Sequence, residues 1–172
     1  MDLGLIWTEN PAIPLQLKIP EADSLKVIIA VDGSEQSEKA FHYYFDHCYE
    51  KDHDVNVAFG MEMPVVIGAN AETSAIYEEM LTEKHDEAER VRDRFGELLK
   101  EKGVAGRFVS AAHAQPCEWL VEVAKGEEAG LVVVGSKGRK NVWRTVMGSV
   151  SSYLLNHLNC PVMVYCEKSK KP

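Results

Sequence analysis

Positive charge is scarce in this chain: 19 Lys and Arg stand against 27 Asp and Glu, a formal net charge of -8. Binding to nucleic acid or to an anionic membrane surface requires a basic face, so neither partner is expected. Long apolar runs are absent too, which excludes a membrane-spanning helix. Leu3-Gly4-Leu5-Ile6-Trp7 is too short for a signal-peptide core and has no basic residues before it. The expectation is a soluble, cytoplasmic protein. Three catalytic signatures are also missing. There is no Gly-x4-Gly-Lys-Ser/Thr loop, no Gly-x-Gly-x-x-Gly after the first predicted strand, and no Gly-x-Ser-x-Gly elbow.

Cysteine and histidine are sparse and unpatterned. Cys48, Cys117, Cys160 and Cys166 show no Cys-x-x-Cys spacing, so zinc is not expected. Cys160 and Cys166 flank one predicted strand, and such a stretch spans roughly 20 Å, beyond disulfide reach. Reduced thiols packed as small apolar groups are expected. His42 and His47 fall on a charged helix and His157 on the last one, each without a Ser or Cys partner. No residue is assigned a catalytic role.

What is present fits one domain. Of the 172 residues, 45% are hydrophobic and 27% charged, ordinary values for a globular chain with a full core. Residues 1–24 contain Pro11, Pro14 and Pro20 and read as an N-terminal extension; 25–166 form the domain; 167–172 are a charged tail. Within the domain, strands alternate with helices. The strands are predicted over Lys26–Val31, Asp54–Gly60, Arg107–Ala112, Leu131–Val134 and Val162–Tyr165. Ser34 is placed to cap the first helix. Met61–Thr73 reads as a long connection bordering a ligand. A helix over Ser74–Lys102 places Ala88, Val91, Phe95, Leu98 and Leu99 on one stripe, its charge runs reading as a solvated face. Pro116 suits the first position of the third helix. The pattern predicts an α/β fold, a Rossmann-like three-layer sandwich on a five-stranded parallel sheet. With strand one central and the order 3-2-1-4-5, ligands bind where chain direction reverses, between strands one and four.

The turns that meet there carry the chemistry. Asp32-Gly33-Ser34 follows strand one, and Gly135-Ser136-Lys137-Gly138 follows strand four. Gly135 and Gly138 are expected to supply positive φ and close backbone approach. A cationic stretch holding Lys137, Arg139, Lys140 and Arg144 leads to Gly148-Ser149-Val150-Ser151, where free N–H groups and hydroxyls open a helix. Acids at Glu35 and Glu38 would repel phosphate at the first helix, whereas the helix after Gly148 has none in its first turn. The expected roles follow. Amides at Gly135, Gly138 and Gly148 to Ser151 hold phosphates, Asp32 accepts from ribose or adenine, and Val31 and Met61 wall the base.

The Gly-x2-Gly-x9-Gly-Ser spacing, with Val27–Ser34 and Asn159–Tyr165, resembles the universal stress protein family in its ATP-binding branch. The resemblance spans roughly residues 25 to 166. It implies that Asp32, Gly135, Gly138, Gly148, Ser149 and Ser151 match nucleotide-contacting positions, with Met61 a looser match. It implies ATP as ligand, with Mg²⁺ or Mn²⁺ as an optional companion ion, and a homodimer formed through residues 162–165. Lys137 stands where the family often has His or Arg, and the N-terminal extension is a second departure. Three functions stay open: an ATP-dependent stress-response or signalling protein, a slow ATPase or phosphotransferase at the same site, and a nucleotide-free dimeric interaction module.

Overall fold

The structure, a computed structural model, describes residues 24–63, 71–136 and 147–167. In chain order the elements are β1 (Lys26–Val31), α1 (Glu35–His47), β2 (Asp54–Glu62), α2 (Ala71–Glu101), β3 (Arg107–His113), α3 (Pro116–Gly126), β4 (Leu131–Gly135), α4 (Ser149–His157) and β5 (Val162–Tyr165). The five strands form one sheet in the order β3-β2-β1-β4-β5, with every neighbouring pair parallel. This is the predicted α/β architecture.

Strand alternation explains the three layers. Successive side chains point to opposite faces, so each strand feeds two cores. Val27, Ile29 and Val31 join Val57, Phe41, Tyr44 and Phe95 on the face covered by α1 and α2. Ile28 and Ala30 join Val132, Val134, Leu120 and Leu154 on the face covered by α3 and α4. Both faces are dry, which is why the strands read as continuous apolar runs rather than alternating ones. The predicted stripe on α2, from Ala88 through Leu99, is buried throughout. Each of its larger side chains, Val91, Phe95, Leu98 and Leu99, contributes about 1.5–3 kcal/mol.

Element ends differ from expectation most around the end of β2. β2 continues two residues past Gly60, because Met61 and Glu62 keep pairing with Ala112 and His113 of β3. The Met63 N–H then donates to the His113 carbonyl at 3.2 Å, extending the contact beyond the ladder. α2 starts at Ala71, so the connection expected over Met61–Thr73 is shortened at both ends. Residues 64–70 lie outside the described residues.

The cysteines also depart from expectation. All four are free, but Cys48 and Cys166 are exposed rather than packed, since one caps α1 and the other follows β5. Cys160 packs against the layer of α3 and α4, and that burial pushes its thiol pKa up. Among the described residues, no helix is long and apolar enough to cross a membrane.

Candidate functional site

The register of the central strands brings the two turns together. Ala30 of β1 pairs with Val134 of β4. Both strands end within a residue of that pair, so the turn starting at Asp32 and the residue Ser136 leave adjacent strands at the same carboxyl end of the sheet. Ser136 is 3% exposed, and its backbone is fixed on both sides. Its N–H donates to the Tyr165 carbonyl of β5 at 2.8 Å, and its own carbonyl accepts from the Gly148 N–H at 2.5 Å. The start of α4 is therefore tied to the end of β4, next to the turn that leaves β1.

That tie shapes the mouth of α4. Gly148 is the N-cap, at φ -78° and ψ 167°, and no acid occupies the first turn. The first helical bond runs from the Ser152 N–H to the Gly148 carbonyl at 3.0 Å. The N–H groups of Ser149, Val150 and Ser151 thus precede the helical ladder and have no acceptor among the described residues. Ser149 is exposed. Ser151 is buried and donates its hydroxyl back to the Gly148 carbonyl at 3.1 Å, while Val150 packs against the core beneath α3 and α4. Three open donors at the positive end of a helix favour an anion.

The start of α1 is built the opposite way. Gly33 adopts φ +73°, a conformation costly for other residues, and turns the chain sharply out of β1. Asp32 Oδ1 accepts from the Ser34 N–H at 3.0 Å and from its hydroxyl at 2.5 Å. Ser34 Oγ in turn accepts from the Ser37 N–H at 3.3 Å, as the predicted cap. Glu35 bridges to Lys39, and Glu38 receives both Nε and Nη2 of Arg94 at 3.0 and 2.8 Å. The Arg94 guanidinium holds the Glu38 carboxyl below the usual glutamate range. With two carboxylates in its first turn, α1 does not offer an anion site.

Four expected site positions have specific settings. Val31 and Met61 are 5% and 4% exposed, with their side chains in the core beneath α1 and α2. Alternation sends both side chains inward, and Met61 stays within the strand because β2 is longer than expected. Gly135 is the last residue of β4 and does not adopt positive φ. A Cβ there would lie 3.3 Å from the Gln36 carbonyl oxygen, so the glycine permits close approach of α1. The Gly148 amide is spent on Ser136, leaving the amides of Ser149, Val150 and Ser151 for a ligand. Gly138 and Arg139, with Lys137, Lys140 and Arg144, lie outside the described residues.

One contact had no signal in the sequence. Glu167, the first residue of the expected tail, accepts from Gln36 Nε2 and Lys39 Nζ, each at 2.7 Å. It pins the end of β5 to the first turns of α1. In the connection that enters β2, Glu50, Asp52 and His53 approach one another closely, but His53 Nδ1 is engaged with the Tyr44 hydroxyl at 2.7 Å.

The sequence pattern of the universal stress protein family matches residues 24–165. The chain belongs to that family. Universal stress protein MJ0531 of Methanocaldococcus jannaschii is 29% identical over 152 residues, covering 85% of this chain and 84% of the relative. Among solved structures, universal stress protein UspA from Lactobacillus plantarum superposes with TM-score 0.67 at 18% identity, covering 84% of this chain and 99% of that one. A universal stress protein family member from Arabidopsis thaliana, solved with AMP bound, gives TM-score 0.61 at 18% identity, covering 84% and 93%. The match starts just before β1 and ends with β5, so in this universal stress protein it spans all the strands and helices of the described residues.

Proposed function

We propose that the crevice between the ends of β1 and β4 binds an adenine nucleotide, ATP in particular, and that the bound nucleotide governs the protein's contacts in a stress response. One observation supports the reading: the Gly148–Ser136 hydrogen bond, which ties the open N–H groups of α4 to the end of β4, the strand that neighbours β1. A polyphosphate fits those donors by charge and direction. The AMP-bound relative of the same fold supports an adenine nucleotide as the ligand class. The cationic stretch Lys137, Arg139, Lys140 and Arg144 supplies further complement for phosphate charge in an acidic chain. A Mg²⁺ or Mn²⁺ ion would enter with the triphosphate and neutralise part of its charge.

A binding role fits better than hydrolysis. Asp32 is the carboxylate nearest the crevice, and its Oδ1 already holds both donors of Ser34. In-line attack on a phosphoryl group requires a base or ligand oriented toward the reacting atoms instead. Dimerisation through β5 belongs to the same reading. The strand is only four residues long and half-buried, it lies at the sheet edge, and Tyr43 stands exposed against Tyr165 beside it.

Acid extraction of the purified protein, with chromatography of the released small molecules, tests the site directly. Recovered ATP, or calorimetric titration with ATP stronger than with AMP, is the expected result. Absence of both resident nucleotide and titratable binding would overturn the reading.

A further inference from the structure

We propose that residues 15–19, upstream of β1, dock as a sixth and antiparallel strand on the outer side of β3. β3 is one edge of the sheet, and its outer side has no backbone partner among the described residues. The ladder tells which of its groups face outward. The Met63 N–H donates to the His113 carbonyl at 3.2 Å, so the backbone groups of His113 turn toward β2. Alternation turns Arg107, Val109 and Ala111 the same way. The N–H and C=O groups of Phe108, Ser110 and Ala112 are left facing out. β3 is seven residues long and contains no proline, so this open row is a template for another strand.

Residues 15–19 fit that row in length, parity and face. The run Leu15-Gln16-Leu17-Lys18-Ile19 alternates apolar with polar as a half-buried strand does, and Pro14 and Pro20 bound it. In an antiparallel register with Ile19 against Phe108, Leu17 against Ser110 and Leu15 against Ala112, the segment turns its own N–H and C=O groups to the three open residues. Both prolines then stand at positions whose N–H would point away from β3, where a missing donor costs no ladder bond. Leu15, Leu17 and Ile19 share the sheet face of Phe108 and Ala112, which are half-buried against the core beneath α1 and α2. Lys18 falls on the other face, and a lysine on an outermost strand deters further pairing.

Reach and strand length select this edge and this occupant. Three strand spacings, from β1 past β2 and β3, come to about 14 Å, and residues 20–25 extend to roughly 20 Å. The β5 edge is as near but offers less. The Ser136 N–H donates to the Tyr165 carbonyl and the Val132 N–H to the Pro161 carbonyl, so odd-numbered residues there face β4. Within β5 only Val162 and Val164 face out, against three in β3. A second copy of β3 offers the same backbone groups, but a segment tethered within reach competes at a much higher effective concentration.

Amide hydrogen exchange in the full chain, read residue by residue by NMR, tests the proposal through its parity. The amides of Phe108, Ser110 and Ala112 exchange slowly in the parent protein. Leu17→Pro removes a donor aimed at the edge and speeds all three about tenfold or more. Lys18→Pro changes a position whose N–H points away and leaves them slow. Slow exchange at Ile29 and Val57 in both variants shows that the sheet itself is intact. Fast exchange at the three amides in the parent protein would mean a bare edge and would overturn the proposal. So would protection that survives Leu17→Pro, since something else then covers the edge, or equal loss in the two proline variants, which contradicts the register. Protection that rises with protein concentration would assign the edge to a second copy, and loss at Val162 and Val164 in Leu17→Pro would put the segment on β5; either result ends the assignment.

Discussion

The Gly148 N–H donates to the Ser136 carbonyl at 2.5 Å, so the start of α4 is tied to the end of β4. Substitution at Gly148 can separate this bond from the space around it. Proline is compatible with φ -78° but has no N–H to give. Gly148→Pro is expected to lose about 0.5–1.5 kcal/mol of stability and to weaken nucleotide binding. Gly148→Ala keeps the donor and should lose less of both. Urea unfolding and calorimetric titration of the two variants check the pair.

Ser149 lies exposed at the first position of α4, where a carboxylate would complement the helix dipole. Ser149→Glu should therefore stabilise the fold slightly, by about 0.3–1 kcal/mol. The same charge stands where phosphate is expected, so nucleotide affinity should fall. Opposite signs in thermal unfolding and in titration are the result to look for. A variant that gains stability and keeps its affinity would place the phosphates elsewhere.

Gly135 makes room for the backbone of α1. The Gln36 carbonyl oxygen would lie 3.3 Å from a new Cβ, and the end of that helix is also held by Glu167. Gly135→Ala must push two constrained elements apart, and a cost of roughly 1–3 kcal/mol is expected. Denaturant midpoints of the variant and the parent protein measure it.

Glu38 and Arg94 join α1 to α2 through two hydrogen bonds. Because Arg94 lowers the folded-state pKa of Glu38, the contribution is full above the unfolded glutamate value of about 4.3 and is lost as pH falls through the lower folded value. Glu38→Gln should accordingly lower the urea midpoint at neutral pH, and the gap to the parent protein should narrow toward about pH 3. Both side chains are partly exposed, at 28% and 46%, so the effect is small and weaker in high salt.

The fold was legible because its signals are local. Apolar runs such as Val132–Val134, the cap at Ser34 and the proline at the head of α3 each mark one element, and handedness then leaves few topologies. Site details that depend on contacts across the sheet were not legible. Nothing local to Met61 tells that β3 continues to His113 beside it, and so Met61 was read as a loop residue rather than part of a buried strand. Gly135 was read as a turn glycine because the neighbouring helix that excludes its Cβ is distant in sequence. The charge runs of α2 were legible as a solvated face, and Glu78, Glu79, Glu83 and Asp86 are exposed. Glu167 reaches Gln36 across 131 positions, and no pattern in either segment announces the pair.

Tyr165 accepts the hydrogen bond that positions Ser136, and Ser136 accepts the one that positions Gly148. The order of synthesis is therefore the order of competence. Until the final strand leaves the ribosome, β4 presents a bare edge and the mouth of α4 lacks its anchor. A nascent chain can therefore complete the proposed crevice only after residue 165 has been made, and until β5 pairs with it the β4 edge stays open to stray pairing.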